Sequence, residues 1–184
     1  MPPFDRLPGI RPRPSLGRRL DMAARAGFPA ACTTLLMLLA VVPFGFAGQA
    51  ALLPAVATIS VYFWTLLRPA SMPPVLVFPI GLLLDLLGYL PVGVGVICLL
   101  AVHGFAFRWQ RLLARQRFAL TWIAFAGFAA MGAALGWGLA SLLGLRLLPV
   151  GSAVFQGVVA VALYPVLAVL FIRADRSIAA PERA

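Results

Sequence analysis

Phe78-Pro79-Ile80-Gly81-Leu82-Leu83-Leu84-Asp85-Leu86-Leu87-Gly88-Tyr89-Leu90-Pro91-Val92-Gly93 is the stretch whose reading decides the fold. It is apolar enough to lie in a membrane, yet it carries Asp85, the only acidic residue between Asp21 and Asp175. A carboxylate inside lipid costs about 2.5–3.5 kcal/mol on insertion scales, so it needs a partner, a proton or a function. On a helix, Phe78, Gly81, Asp85 and Gly88 share one small, polar face. Leu82, Leu83, Leu86 and Leu87 cover the remainder. The spacing predicts a helix that turns its leucines to lipid and its Gly-Asp-Gly stripe to protein.

The rest of the chain supplies that lipid context. Of 184 residues, 62% are hydrophobic, and the mean hydropathy is +1.00. A soluble domain of this length has no interior large enough for so much apolar surface, which makes the class a multi-spanning membrane protein. The formal net charge is +10, and every basic residue is Arg. Most arginines stand at the ends of apolar runs, where they set topology and meet anionic headgroups, so the charge does not read as nucleic-acid binding. Cys32 and Cys98 lie inside apolar runs without a CxxC or a Cys/His neighbour, and they read as small buried hydrophobes.

The hydropathy pattern predicts an all-α polytopic helix bundle of six transmembrane helices. The spans are 28–47, 50–67, 75–89, 94–107, 118–143 and 150–172. The third is short for a hydrocarbon core of about 30 Å, which wants about 20 residues. Residues 1–26 form a Pro-broken basic lead, expected to be a disordered cytoplasmic tail, with 16–26 available as a short interfacial helix. Residues 27–173 form the membrane domain, and 174–184 a second cytoplasmic tail. No cleavable signal peptide is evident, so the first apolar run is read as a permanent span. Residues 108–117 form a basic amphipathic strip that extends the fourth span along the membrane surface. With both termini inside, every arginine except Arg146 falls on the cytoplasmic side, as the positive-inside rule demands. The expected location is a membrane crossed several times, with both termini cytoplasmic.

This orientation places Asp85 in the outer half of the third span. The polar residues expected near that depth are Arg146, Gln156, Ser141, Ser152 and Tyr89, and Arg146 is the only outer cation. Three readings stand: a pair with one of these groups, a protonated carboxyl, or a buried Asp that fixes helix register. His103, the only histidine, lies near the opposite membrane face, as a satisfied core residue or at headgroup level, so it forms no dyad with Asp85. No Ser-His-Asp set, paired carboxylates, metal cluster or phosphate-binding glycine loop is present, which argues against an enzyme and against a cofactor. Gly132 and Gly136 form a GxxxG step in the fifth span. Such a step marks close helix contact, either internal or with another protein.

The stretch from Tyr62 to Gly93 resembles the bacterial rod shape-determining protein MreD. The resemblance rests on an aromatic-rich span ending in Arg68-Pro69, then Pro73-Pro74, Phe78, Gly81, Asp85, Gly88, Pro91 and Gly93. It implies a non-enzymatic membrane scaffold of the cell-elongation machinery, acting in rod shape and lateral peptidoglycan synthesis. The implied partner is the bitopic protein MreC, and through it the filament protein MreB, the glycosyltransferase RodA and the elongation transpeptidase. On this reading the hairpin of spans three and four helps to form the MreC-binding surface. The family fold is akin to the substrate-binding subunits of energy-coupling-factor transporters, which supplies an alternative: a vitamin-binding membrane subunit.

Overall fold

The computed structural model describes residues 16–43, 45 and 48–179. The basic lead before residue 16, part of the expected end of the first span and the tail beyond 179 lie outside these residues. Among the described residues the chain is helical, with six α-helices and no strand. They are α1 (Leu16–Val41), α2 (Leu52–Leu67), α3 (Pro74–Leu87), α4 (Val94–Leu113), α5 (Phe118–Leu143) and α6 (Val150–Ala179). Four helical segments, including all of α2, α4 and α5 and most of α6, are long and apolar enough to cross a membrane. The apolar part of α1 and the whole of α3 are shorter, α3 reaching about 21 Å at 1.5 Å per residue.

Helix boundaries follow local chemistry. α1 runs unbroken from Leu16 through Pro29, so the lead from residue 16 onward belongs to the first helix. It ends at Val41, two residues before Pro43, whose ring disfavours helical geometry in the residue that precedes it. Arg68-Pro69 ends α2 and starts the 3-10 turn Pro69–Ser71. Pro74 then opens α3 at its first position, where the missing N–H costs nothing. α4 continues through Arg108 and Arg111 to Leu113, as the basic strip predicts.

α2 is the axis of the bundle. Two thirds of its membrane-length window is buried, against about a tenth for α5, so the other helices wrap α2 while α5 lies at the periphery. Ala55, Val56, Ala57, Ile59, Val61, Tyr62 and Trp64 are buried on all sides of it, the pattern of a helix without a solvent face. Tyr62 meets Phe125, Phe128 and Tyr164 at ring separations of 5.1, 5.3 and 5.9 Å. Its hydroxyl donates to the Thr121 carbonyl at 3.0 Å, which satisfies the one polar atom the ring carries inward. Near the end of α2, Trp64 packs on Phe28, Phe63 and Phe171.

Neighbouring helices alternate in direction, which gives the bundle two chemically different ends. The C-termini of α2, α4 and α6 meet the N-terminus of α5 at one end. Arg68, Arg108, Arg111, Arg115, Arg117 and Arg176 gather there. Arg68 Nε lies 2.8 Å from Asp175 Oδ1, an ion pair that links α2 to α6. The opposite end holds the α3–α4 and α5–α6 turns, with Arg146 in the second of them.

Candidate functional site

The site is built on Asp85 and the turn that follows it. Asp85 is 1% exposed. Its carboxylate accepts the backbone N–H of Gly93 at 2.8 Å and that of Gly95 at 2.5 Å. These are the residue before the first turn of α4 and the second residue within it. The first N–H groups of any helix lack internal partners and carry the positive end of the helix dipole. Asp85 therefore caps α4 from a neighbouring helix. Two charge-assisted hydrogen bonds contribute about 1.5–3 kcal/mol each, enough to offset the about 3 kcal/mol of burying the charge in lipid.

The same residue closes its own helix. The Asp85 carbonyl accepts the Leu90 N–H at 3.1 Å, and the Leu84 carbonyl accepts the Gly88 N–H at 2.8 Å. Tyr89 takes the left-handed conformation between them, with φ of 51°. This is a Schellman-type C-cap with tyrosine where glycine is usual. Pro91 then accepts the Val94 N–H at 3.2 Å, and Gly93, with φ of +103°, turns the chain into α4. Asp85 thus ends α3 with its carbonyl and starts α4 with its carboxylate.

Glycines permit the close approach this needs. A Cβ at Gly81 would stand 2.6 Å from the Val96 Cα, and one at Gly95 would stand 2.5 Å from Asp85 Oδ1. The α3–α4 seam therefore runs backbone to backbone. Of the residues expected on the stripe, Gly81 and Asp85 face the interior, whereas Phe78 is 53% exposed and Gly88 lies at the exposed C-cap. The buried arc is centred on Val77, Gly81 and Leu84, rotated away from Phe78, because it is set by contact with α4 rather than by small size alone.

Asp85 does not pair with any of the side chains expected at its depth. Both oxygens are engaged by amides of α4, and no ion pair joins Asp85 to Arg146 among the described residues. Tyr89 is 96% exposed. Ser141 accepts the Leu148 N–H at 3.3 Å, and Ser152 donates to the Pro149 carbonyl at 2.8 Å. Gly95 is the residue that sequence reasoning missed. Backbone amides carry no residue signature, and its only legible mark is a glycine two positions after Gly93. The Asp85 carboxylate is committed to a helix cap at a position only 1% exposed.

The remaining candidates separate into other surroundings. Gly132 and Gly136 face inward onto α4, where an added Cβ would meet Val102 Cγ2 at 3.4 Å and Cys98 Sγ at 3.5 Å. The GxxxG step is thus an internal contact, not a docking face. Arg68 is held by Asp175, and Pro69 opens the turn beside it. His103 is buried, with Nδ1 2.9 Å from the Thr65 hydroxyl and its ring stacked on Phe107. That makes it a satisfied core residue at the basic end of the bundle.

Two voids flank this framework. Gln156, with Thr58, Cys98, Trp137 and Ser152, lines a cavity of about 140 Å³ between α2, α4, α5 and α6 near the Asp85 end. A longer groove of about 770 Å³ opens outward between α5 and α6. Its walls are Ala126, Ala130, Ala133 and Ala134 on one side, and Ala153, Gly157 and valines on the other. Trp122 and Trp137 brace it by donating from Nε1 to the Val161 and Leu148 carbonyls, each at 2.9 Å. Comparison with protein-family models, curated proteins and solved structures finds no match to the chain.

Proposed function

We propose that the protein is a non-enzymatic membrane scaffold of the MreD kind, acting in bacterial cell elongation by binding the single membrane helix of MreC. In this reading all six helices span the inner membrane, with both termini cytoplasmic. The gathering of arginines at one end of the bundle supports that orientation. α3 is short for a span, a mismatch met by little tilt and local bilayer thinning.

The observation that carries the reading is the α5–α6 groove. Between Trp122 and Trp137 it follows α5 for about 22 Å at 1.5 Å per residue. One leaflet of the hydrocarbon core is only about 15 Å deep, so lipid chains from both leaflets would have to meet within the groove, whereas one transmembrane helix crosses it whole. Alanine and glycine walls let such a helix approach closely, which is how helices associate where lipid removes the hydrophobic drive. The α3–α4 hairpin serves as the rigid frame instead of the contact surface, since its Gly-Asp machinery points inward.

The test is co-purification of MreC with the protein in mild detergent. Ala130→Phe and Ala134→Phe, which fill the groove from an outward-facing wall, are expected to abolish recovery of MreC and round the cells while leaving the thermal melt unchanged. Full recovery of MreC by both variants would overturn the assignment.

The small cavity bears on the alternative of a vitamin-binding subunit. Ligand pockets commonly measure about 300–1,000 Å³, and a cavity near 150 Å³ holds a molecule of benzene size. At about 140 Å³, the space beside Gln156 and Thr58 is below that range, and the α5–α6 groove, at about 770 Å³, is within it but has walls of alanine, glycine and valine without the polar groups that orient a ligand. A vitamin that raises the melting temperature and competes with labelling of Cys98 would reverse this ordering.

A further inference from the structure

The basic end of the bundle carries a second pair of adjoining spaces. A polar pocket of about 640 Å³ is lined by Leu66, Gln110, Arg111, Arg115 and Gln116. Beside it an apolar crevice of about 260 Å³ runs between Phe63, Leu67, Leu113, Phe118, Tyr164 and Ile172. Leu66, Ala114 and Gln116 wall both. Arg111 and Arg115 are exposed and make no ion pair among the described residues. Arg111 lies in the last turn of α4 and Arg115 in the turn that follows it, and both line the polar pocket.

We propose that these two spaces form one binding site for an anionic phospholipid. The phosphate sits between Arg111 and Arg115, the amides of Gln110 and Gln116 meet the headgroup hydroxyls, and one acyl chain enters the crevice. Each half selects for one part of the ligand. A guanidinium fork suits phosphate oxygens, and two unpaired cations at a membrane surface favour a net negative lipid. The crevice is lined by aromatic and aliphatic side chains that offer an acyl chain a dry wall. A free phosphate would use only the first half, and a zwitterionic lipid brings the same phosphate with a quaternary ammonium that the two arginines disfavour. The site is independent of the α5–α6 groove, whose walls it does not share.

The experiment is native mass spectrometry of the full chain, released from micelles that contain equal phosphatidylglycerol and phosphatidylcholine. One phosphatidylglycerol is expected to be retained selectively. The double variant Arg111→Gln/Arg115→Gln should lower that selectivity at least about 10-fold, the factor one charge-assisted hydrogen bond contributes. The charge-matched control Arg108→Gln/Arg117→Gln, outside the pocket, should leave it within about twofold. Ala114→Phe, at the junction of the two spaces, should lower retention with the arginines intact. Equal loss in the control pair would reduce the effect to general surface charge and overturn the site. Retention unaffected by Ala114→Phe, or displacement of the lipid by inorganic phosphate alone, would overturn the acyl-chain half.

Discussion

Replacing Asp85 tests whether one carboxylate joins α3 to α4. In Asp85→Asn the side chain is nearly isosteric, and its carbonyl oxygen still accepts one of the two amides. The other position becomes an NH₂ group facing an N–H, so either Gly93 or Gly95 loses its partner. An unmet buried N–H costs about 1–3 kcal/mol, and the lost charge–dipole attraction adds up to about 2 kcal/mol. Cheaper burial of a neutral amide returns part of this, leaving a net loss of about 1–3 kcal/mol. In a chain of this size each kcal/mol shifts the melting temperature by about 2–4 °C, so the expected drop is about 2–12 °C. Asp85→Leu leaves both amides unmet and should melt lower still. The assay is thermal unfolding in mild detergent, followed by tryptophan fluorescence. If Asp85→Asn melts within about 1 °C of the parent, or Asp85→Leu melts above Asp85→Asn, the capping account is wrong.

The other expectations concern the same framework. Gly81→Ala should cost about 1–3 kcal/mol in that melt, because its Cβ meets the backbone of Val96 at 2.6 Å and the helices must separate. Gly136→Ala should change stability by less than about 0.5 kcal/mol, since its Cβ meets Cys98 Sγ at an ordinary 3.5 Å; a loss equal to that of Gly81→Ala would show that the α4–α5 seam is tighter than described. Tyr89→Gly should raise the melting temperature by removing the cost of a left-handed tyrosine, about 1 kcal/mol, and a lower melt would mean that the exposed ring makes a stabilising contact. Arg68→Ala should cost less than about 1 kcal/mol, diminishing further at high salt, because the Asp175 pair is partly exposed; a loss above about 2 kcal/mol, insensitive to salt, would refute that.

What the chain determines by itself is the inventory of helices and the importance of one stretch. Apolar runs punctuated by Pro, Gly and Arg locate the helices because hydrophobicity and backbone breakers act locally. The fifth helix spans 118–143 as expected, and the fourth continues into its basic strip as far as Leu113. The same stretch shows that Asp85 must be satisfied, since an apolar setting makes a bare carboxylate costly. Only the tertiary structure decides what satisfies it. The partners are the amides of Gly93 and Gly95, and every residue type presents the same N–H, so no pattern in the sequence marks them. Nor can spacing tell which helix a GxxxG step faces. Gly132 and Gly136 turn inward to α4, while the alanines between and around them line the outward groove. Both outcomes are set by how the bundle packs about α2. Asp85, first met as a charge out of place in an apolar helix, is the joint that fixes α4 against α3.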